Sequence, residues 1–327
     1  MTVTVMQTSW LSAEYYSRLV TDTDGAFIAP LPAFETLVIS GPDSRKYLQG
    51  QATCDLELLT ADNFLRGAHC DAKGKMWSIF HVCAEQDELL VTAFRDELHA
   101  STAQWKKFGV FSKVSFNSDP QQYAVLGLGG KGADLLAQQL GFTPPPTGQL
   151  ARYQQSKLLK LANEHYLLLV PVAQVTAILQ SDITLAAPSL WLRQHIQHGL
   201  CYLEQALISE FVPQMLNLQA VDAISFTKGC YIGQETVARM KYLGRNKRAA
   251  YILSGESAEL PPAGTDIEIK MNDNWRRAGQ VINAVNINNQ LSVIAVLPND
   301  TTPTDSLRLK TDSETPLTLQ PLPYSLD

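Results

Sequence analysis

After about Tyr242 the chain abandons the mixture of strand and helix patterns that precedes it and becomes a series of short β runs. Segments 249–253, 266–271, 279–285, 291–296 and 307–310 are alternating or apolar, and Pro261-Pro262, Asn272-Asp273-Asn274, Asn288-Asn289 and Pro298-Asn299-Asp300 separate them. Evenly spaced short strands predict a small all-β barrel or sandwich, because closure removes exposed edges. Upstream, segment 35–40 reads as a strand and Pro42 opens a helix. A hairpin at 75–84 and 89–94 and a helix over 96–107 follow, with 110–116 as a returning strand. Segments 123–128, 133–140, 157–162 with 166–170, and 172–180 repeat the order strand, helix, hairpin, helix. That repetition points to two related α+β halves, although no sequence identity links them.

Composition sets the outer limits. Of 327 residues 45% are hydrophobic and 18% charged, and the mean hydropathy is -0.07, which supplies enough apolar surface to offset ordering entropy over about two or three domains. The net charge of -6 excludes a basic, histone-like binder. Cys54, Cys70, Cys83, Cys201 and Cys230 are odd in number and lack a Cys-x-x-Cys pair, so neither a disulfide framework nor a structural zinc site is indicated. A reducing cytoplasm is the expected compartment. The start of the chain lacks a signal-like basic and apolar pattern, and Pro171 breaks the most apolar stretch, 166–179, so no membrane span is expected.

Lys228-Gly229-Cys230-Tyr231-Ile232-Gly233-Gln234-Glu235 is the most informative segment. Its glycines allow a tight loop, and a helix beginning near Gln234 would place its positive end close to Cys230. Lys228 and that helix end would favour thiolate over thiol; the alternative is a small buried Cys. From Lys228 to Arg248, six basic residues face Glu235 alone, a local charge of +5 that leaves -11 on the other 306 residues. Such a segment can hold an anion, with Tyr231 and Tyr242 as stacking surfaces, or be a solvated linker. The segment Gly127-Leu128-Gly129-Gly130-Lys131-Gly132 lacks phosphate-loop spacing and reads as a strand-to-helix turn. His195 and His198 can share a helix face, but without a third ligand they read as a surface pair and no metal site is assigned. Trp191 reads as core or as a pocket wall.

Lys228 to Glu235 resembles the signature of the YgfZ family of folate-binding proteins, connected with tRNA modification and iron-sulfur protein maintenance and related to the T-protein (aminomethyltransferase) of glycine cleavage. Cys70-Asp71-Ala72-Lys73-Gly74-Lys75-Met76-Trp77, Phe211-Val212-Pro213-Gln214, Asn217-Leu218-Gln219-Ala220, Asn274-Trp275-Arg276-Arg277 and Pro321-Leu322-Pro323-Tyr324-Ser325-Leu326 extend the likeness over nearly the whole chain. The resemblance implies an α+β fold: T-protein-like folate-binding domains in a ring-like arrangement over residues 1–240, then a C-terminal β-barrel over 241–327. It implies an aromatic pair at Phe34 and Trp191 lining the folate site, where Phe34 replaces a usual Trp. Gln197 stands where relatives have Glu to hold the pterin. Trp77 and Ser78 stand where the T-protein relatives carry a catalytic Asp, which argues against aminomethyl transfer.

The reading that results is a cytoplasmic folate-binding auxiliary protein that supports tRNA modification such as methylthiolation through the assembly or maintenance of iron-sulfur enzymes. Its cofactor is tetrahydrofolate or a one-carbon derivative, and its partners are iron-sulfur tRNA-modifying enzymes. Cys230 is the candidate reactive thiol facing the folate cavity, with Lys228 lowering its pKa. Gln234, Glu235 and Arg239 order the loop or contact an anionic ligand. Two alternatives stay open: a folate-dependent one-carbon transferase with an unknown acceptor, and a module that docks on tRNA through the +5 segment. The acidic balance of the chain disfavours direct tRNA contact.

Overall fold

The computed structural model describes residues 10–119, 121–180, 182–244 and 246–326. After α1 (Ala13–Ser17) and β1 (Phe27–Pro30), the chain builds a first module from β2 (Phe34–Ser40), α2 (Ser44–Gln49), β3 (Phe64–Cys70), β4 (Met76–Glu85), β5 (Glu88–Phe94), α3 (Arg95–Phe108) and β6 (Ser115–Asn117). A second module follows: β7 (Tyr123–Gly129), α4 (Ala133–Gln139), β8 (Leu150–Tyr153), β9 (Ser156–Ala162), β10 (His165–Pro171) and α5 (Val172–Leu179). The first sheet runs β3-β4-β5-β2-β6 and the second β8-β9-β10-β7-β1. Matching strands occupy matching places in the two sheets, so the repeated sequence order is a repeated topology. Each module ends in an edge strand drawn from outside its hairpins.

Next come α6 (Pro188–Gln197), a run of 3₁₀ turns and α7 (Gln234–Tyr242). The remaining strands, β11 (Arg248–Glu256), β12 (Asp266–Met271), β13 (Asn274–Ile287), β14 (Gln290–Pro298), β15 (Leu307–Leu309) and β16 (Pro316–Gln320), close into a barrel in the order β11-β14-β13-β12-β15-β16. One apolar core joins all three parts: Phe34 and Leu90 of the first module, Val125 and Leu167 of the second, and Ile252 and Ile294 of the barrel belong to it. Burial of that shared surface holds the modules together. No described helix is long and apolar enough to cross a membrane.

Three elements depart from the sequence expectation. Segment 110–116 is not one strand: a 3₁₀ turn spans Gly109–Phe111. The Lys113 N–H then donates to the Asp43 carboxylate (2.8 Å) and its carbonyl accepts from Asp43 N–H (3.2 Å), so the ladder begins again only at Ser115. Strand β3 carries Arg66, Gly67 and His69, which interrupt its apolar pattern and conceal it. Strand β16 starts with Pro316 and completes the barrel with a sixth strand that the periodicity did not reveal.

Candidate functional site

The segment around Lys228 is stitched onto the first module by its own backbone. Ser225 N–H donates to Thr53 carbonyl (2.8 Å) and Ile232 N–H to Gly50 carbonyl (3.1 Å). Lys228 is buried, and its ammonium donates to the carbonyls of Gln49 (2.7 Å), Ala52 (2.9 Å) and Cys54 (2.5 Å). Those three bonds use all three of its protons. Desolvation lowers its pKa. Its ammonium thus clamps the 49–54 segment to the loop that carries Cys230. Cys230 itself is exposed, whereas Cys54, Cys70, Cys83 and Cys201 are buried.

Two glycine turns meet here. Gly233 (φ +86°) precedes α7, and a Cβ placed on it would lie 2.6 Å from Asp71 carbonyl and 3.0 Å from Gly74 Cα. Gly74 (φ +79°) in turn leaves no room for a Cβ against Thr236. The Cys70–Trp77 turn and the Lys228–Glu235 loop, far apart in sequence, thus pack as one unit. Gln234 Oε1 accepts from Tyr231 N–H (3.2 Å) and orders the loop. Glu235 and Arg239 pair with each other (2.6 Å) on the exposed face of α7.

The aromatic pair is not an open wall. Trp191 is fully buried, its indole N–H donates to Tyr166 carbonyl (2.8 Å), and Gly127, His165 and His195 wall its ring. Phe34 meets Phe94, Trp191 and Tyr202 edge-on, each at 5.7 Å between centroids. Both are core residues, so the expectation that they present stacking faces is corrected by close packing. Gln197, by contrast, is exposed near the end of α6.

Beside this cluster lies a cavity of about 700 Å³ lined by residues of several elements. Phe64, Leu65 and Arg66 come from β3, Leu161 to Asn163 from the end of β9, His198 and Leu200 from the turn after α6, Ala220 to Asp222 from a 3₁₀ turn, and Pro323 and Tyr324 from the C-terminal segment. Cys230 is not among the residues of that lining and is exposed. Deeper still, Arg66, His81, His195 and Cys201 line a small enclosed void. His195 is buried and hydrogen-bonded to His165 (3.1 Å), which overturns the surface-pair reading. Burial pushes the pKa of His81, His165 and His195 well below its usual value. Among the described residues no group of three or more His, Cys, Asp or Glu side chains is arranged to hold a metal ion.

Sequence reasoning missed Arg66, His81, His165 and Glu97. Glu97 is buried and accepts from the N–H groups of Ile79 (2.9 Å), Phe94 (3.2 Å) and Leu203 (3.1 Å). A Glu three residues into a helix is a capping signal and would have marked it. Ser78, the approximate counterpart of the relatives' Asp, is buried in a chain in which Ser101 donates to Ser78 (2.7 Å) and pairs with His69 (3.0 Å).

The model of the YgfZ β-barrel domain matches residues 246–312. The tRNA-modifying protein YgfZ of Pectobacterium carotovorum subsp. carotovorum (strain PC1) is 39% identical over 301 residues, covering 90% of each chain. That of Escherichia coli O157:H7 (strain EC4115 / EHEC) is 40% identical over 296 residues, 88% of this chain and 90% of the other. Among solved structures, the glycine cleavage system aminomethyltransferase T from Bartonella henselae superposes with a TM-score of 0.68 at 13% identity, covering 95% of this chain and 88% of that one. The latter likeness is one of fold.

Proposed function

This chain belongs to the YgfZ family, and from that premise we propose that it binds a folate in its central cavity and supports tRNA modification as an auxiliary protein. The tRNA-modifying name of relatives near 40% identity supports the process, and the motif resemblance supports the cofactor. The observation that carries the reading is the cavity of about 700 Å³, within the range of pockets that enclose a ligand of folate size. Its lining fits such a molecule. Phe64, Leu65, Leu161, Leu200 and Val221 offer apolar walls, while Asn63, Asn163, His198 and Tyr324 supply a few polar groups to orient it.

When bound, a reduced folate supplies a carrier for a one-carbon unit. The residues of this chain bind and enclose it. Glu97 is held by three backbone N–H groups, Ser78 is closed into its hydroxyl chain, and Asp222, the one carboxylate of the lining, is exposed. The proposed role is thus supportive, with Cys230 as a surface thiol available to an iron-sulfur tRNA-modifying enzyme. In a strain lacking its own family member, the wild-type chain should restore tRNA methylthiolation, while Cys230→Ala and the cavity-filling Ala220→Trp should not. Full restoration by Cys230→Ala would remove the thiol from the account.

A direct tRNA contact draws support from one observation. Lys241 and Tyr242 are exposed beside Phe226, with the Lys241 ammonium 3.8 Å from the Phe226 ring centroid, and Lys247 is exposed further along the same segment. Arg245 of the same basic segment lies outside the described residues. Salt-dependent tRNA binding that Lys241→Ala with Lys247→Ala weakens is its signature; absence of binding at low salt rejects it.

A further inference from the structure

Arg66 is a guanidinium with no direct ion pair, and the carboxylate that acts on it through space is that of Asp222. It lies on β3 between the large cavity and the enclosed void and lines both. Its Nε approaches His81 Nε2 at 3.4 Å, Nη1 donates to Val221 carbonyl at 3.2 Å, and Nη2 to Leu161 carbonyl at 3.5 Å. All three bonds are long and engage three of the five N–H donors that a guanidinium carries. Among the described residues no carboxylate lies within 4.0 Å of it. Asp222, the one carboxylate in the cavity lining, is exposed at the rim.

Burying a cation without a partner is costly, and a structure that keeps one beside a cavity is suited to an anion that arrives with the ligand. The surroundings reinforce this. His198, the one histidine among the lining residues, has its pKa lowered by burial, so Arg66 is the fixed positive charge among the described residues of the cavity lining. A planar fork of donors matches a carboxylate bidentately.

We propose that Arg66 binds a carboxylate of the cavity's ligand, and that the ligand is therefore recognised by an acidic tail as well as by its ring system. This rests on the folate reading, in which the glutamate tail supplies the carboxylate. Removing such charge-assisted bonds costs about 10- to 100-fold in affinity.

The test is equilibrium binding of three probes to the full chain: pteroylglutamate, the pteroyl amide that lacks any carboxylate, and p-aminobenzoylglutamate, which has the tail without the pterin. Wild type should prefer pteroylglutamate to the amide by at least about tenfold. Arg66→Gln should lose that preference while binding the amide unchanged, and Arg66→Lys should keep part of it. A merely structural Arg66 would weaken both pteroyl probes equally, which overturns the proposal, as does wild-type binding that ignores the tail. If neither pteroyl probe binds but p-aminobenzoylglutamate binds wild type and not Arg66→Gln, the carboxylate site stands and the folate reading falls. Failure of all three probes overturns both.

Discussion

Lys228 directs its ammonium at three carbonyl oxygens of the 49–54 segment, and Cys230, two residues later, faces solvent. Replacing Lys228 by Gln leaves two or more of those carbonyls without a donor, so stability should fall by about 2–4 kcal/mol in urea denaturation. The rate at which Cys230 reacts with iodoacetamide should change by less than about twofold, since the thiol keeps the same exposure and the ammonium is held elsewhere. The other cysteines differ in kind: burial pushes the thiols of Cys54, Cys83 and Cys201 up to about 12 and raises that of Cys70 as well. A native thiol titration should therefore find one reactive equivalent, absent in Cys230→Ala, and the rest only on unfolding. A sequence marks Lys228 and Cys230 as unusual neighbours, but the direction of a lysine stem depends on which carbonyls the distant 49–54 segment presents.

At the scale of elements, the docking of two glycine turns is the joint between the first module and α7. Gly233→Ala forces a Cβ to within 2.6 Å of a backbone oxygen at a positive φ that L side chains rarely adopt. It should cost about 2–4 kcal/mol. Because Gly74 lies against the same contact, Gly74→Ala combined with Gly233→Ala should destabilise by less than the sum of the two, a coupling a double-mutant cycle will read. The Lys228–Glu235 turn was legible from its glycines and the Cys70–Trp77 turn from the family motif, since turn chemistry is local. Their mutual contact was not, because it joins residues about 160 positions apart. Much of the strand and helix order was legible for the same local reason, down to the repeated hairpins, while β3 escaped because Arg66 lines the cavity and the void and His69 pairs with Ser101.

The whole molecule holds four histidines, His69, His81, His165 and His195, whose rings burial keeps neutral. Burial lowers the pKa of His69 to about 3 and those of the other three well below the usual value. They stay neutral when folded and take up protons when unfolded, so their contribution to stability is present above the unfolded pKa of about 6.5 and is lost as pH falls below it. Urea denaturation should show stability declining from pH 7.5 to 5.5, each ring adding up to about 1.4 kcal/mol per pH unit at the lower end. A slope that does not steepen below pH 6.5 would mean that these rings are protonated in the folded state. The aromatic pair shows the limit of analogy at this scale: Phe34 and Trp191 were identifiable as aromatic partners, but whether their faces are open depends on His165 and His195 packed against Trp191. The cavity shared by the modules is the proposed folate site. Its most direct test is a titration of the purified full chain with tetrahydrofolate, followed by calorimetry, for wild type and Ala220→Trp. Wild type should show saturable one-to-one binding, and binding should be at least about tenfold weaker when the indole fills the cavity; no binding by wild type, or equal binding by both proteins, would mean that the cavity is not a folate site.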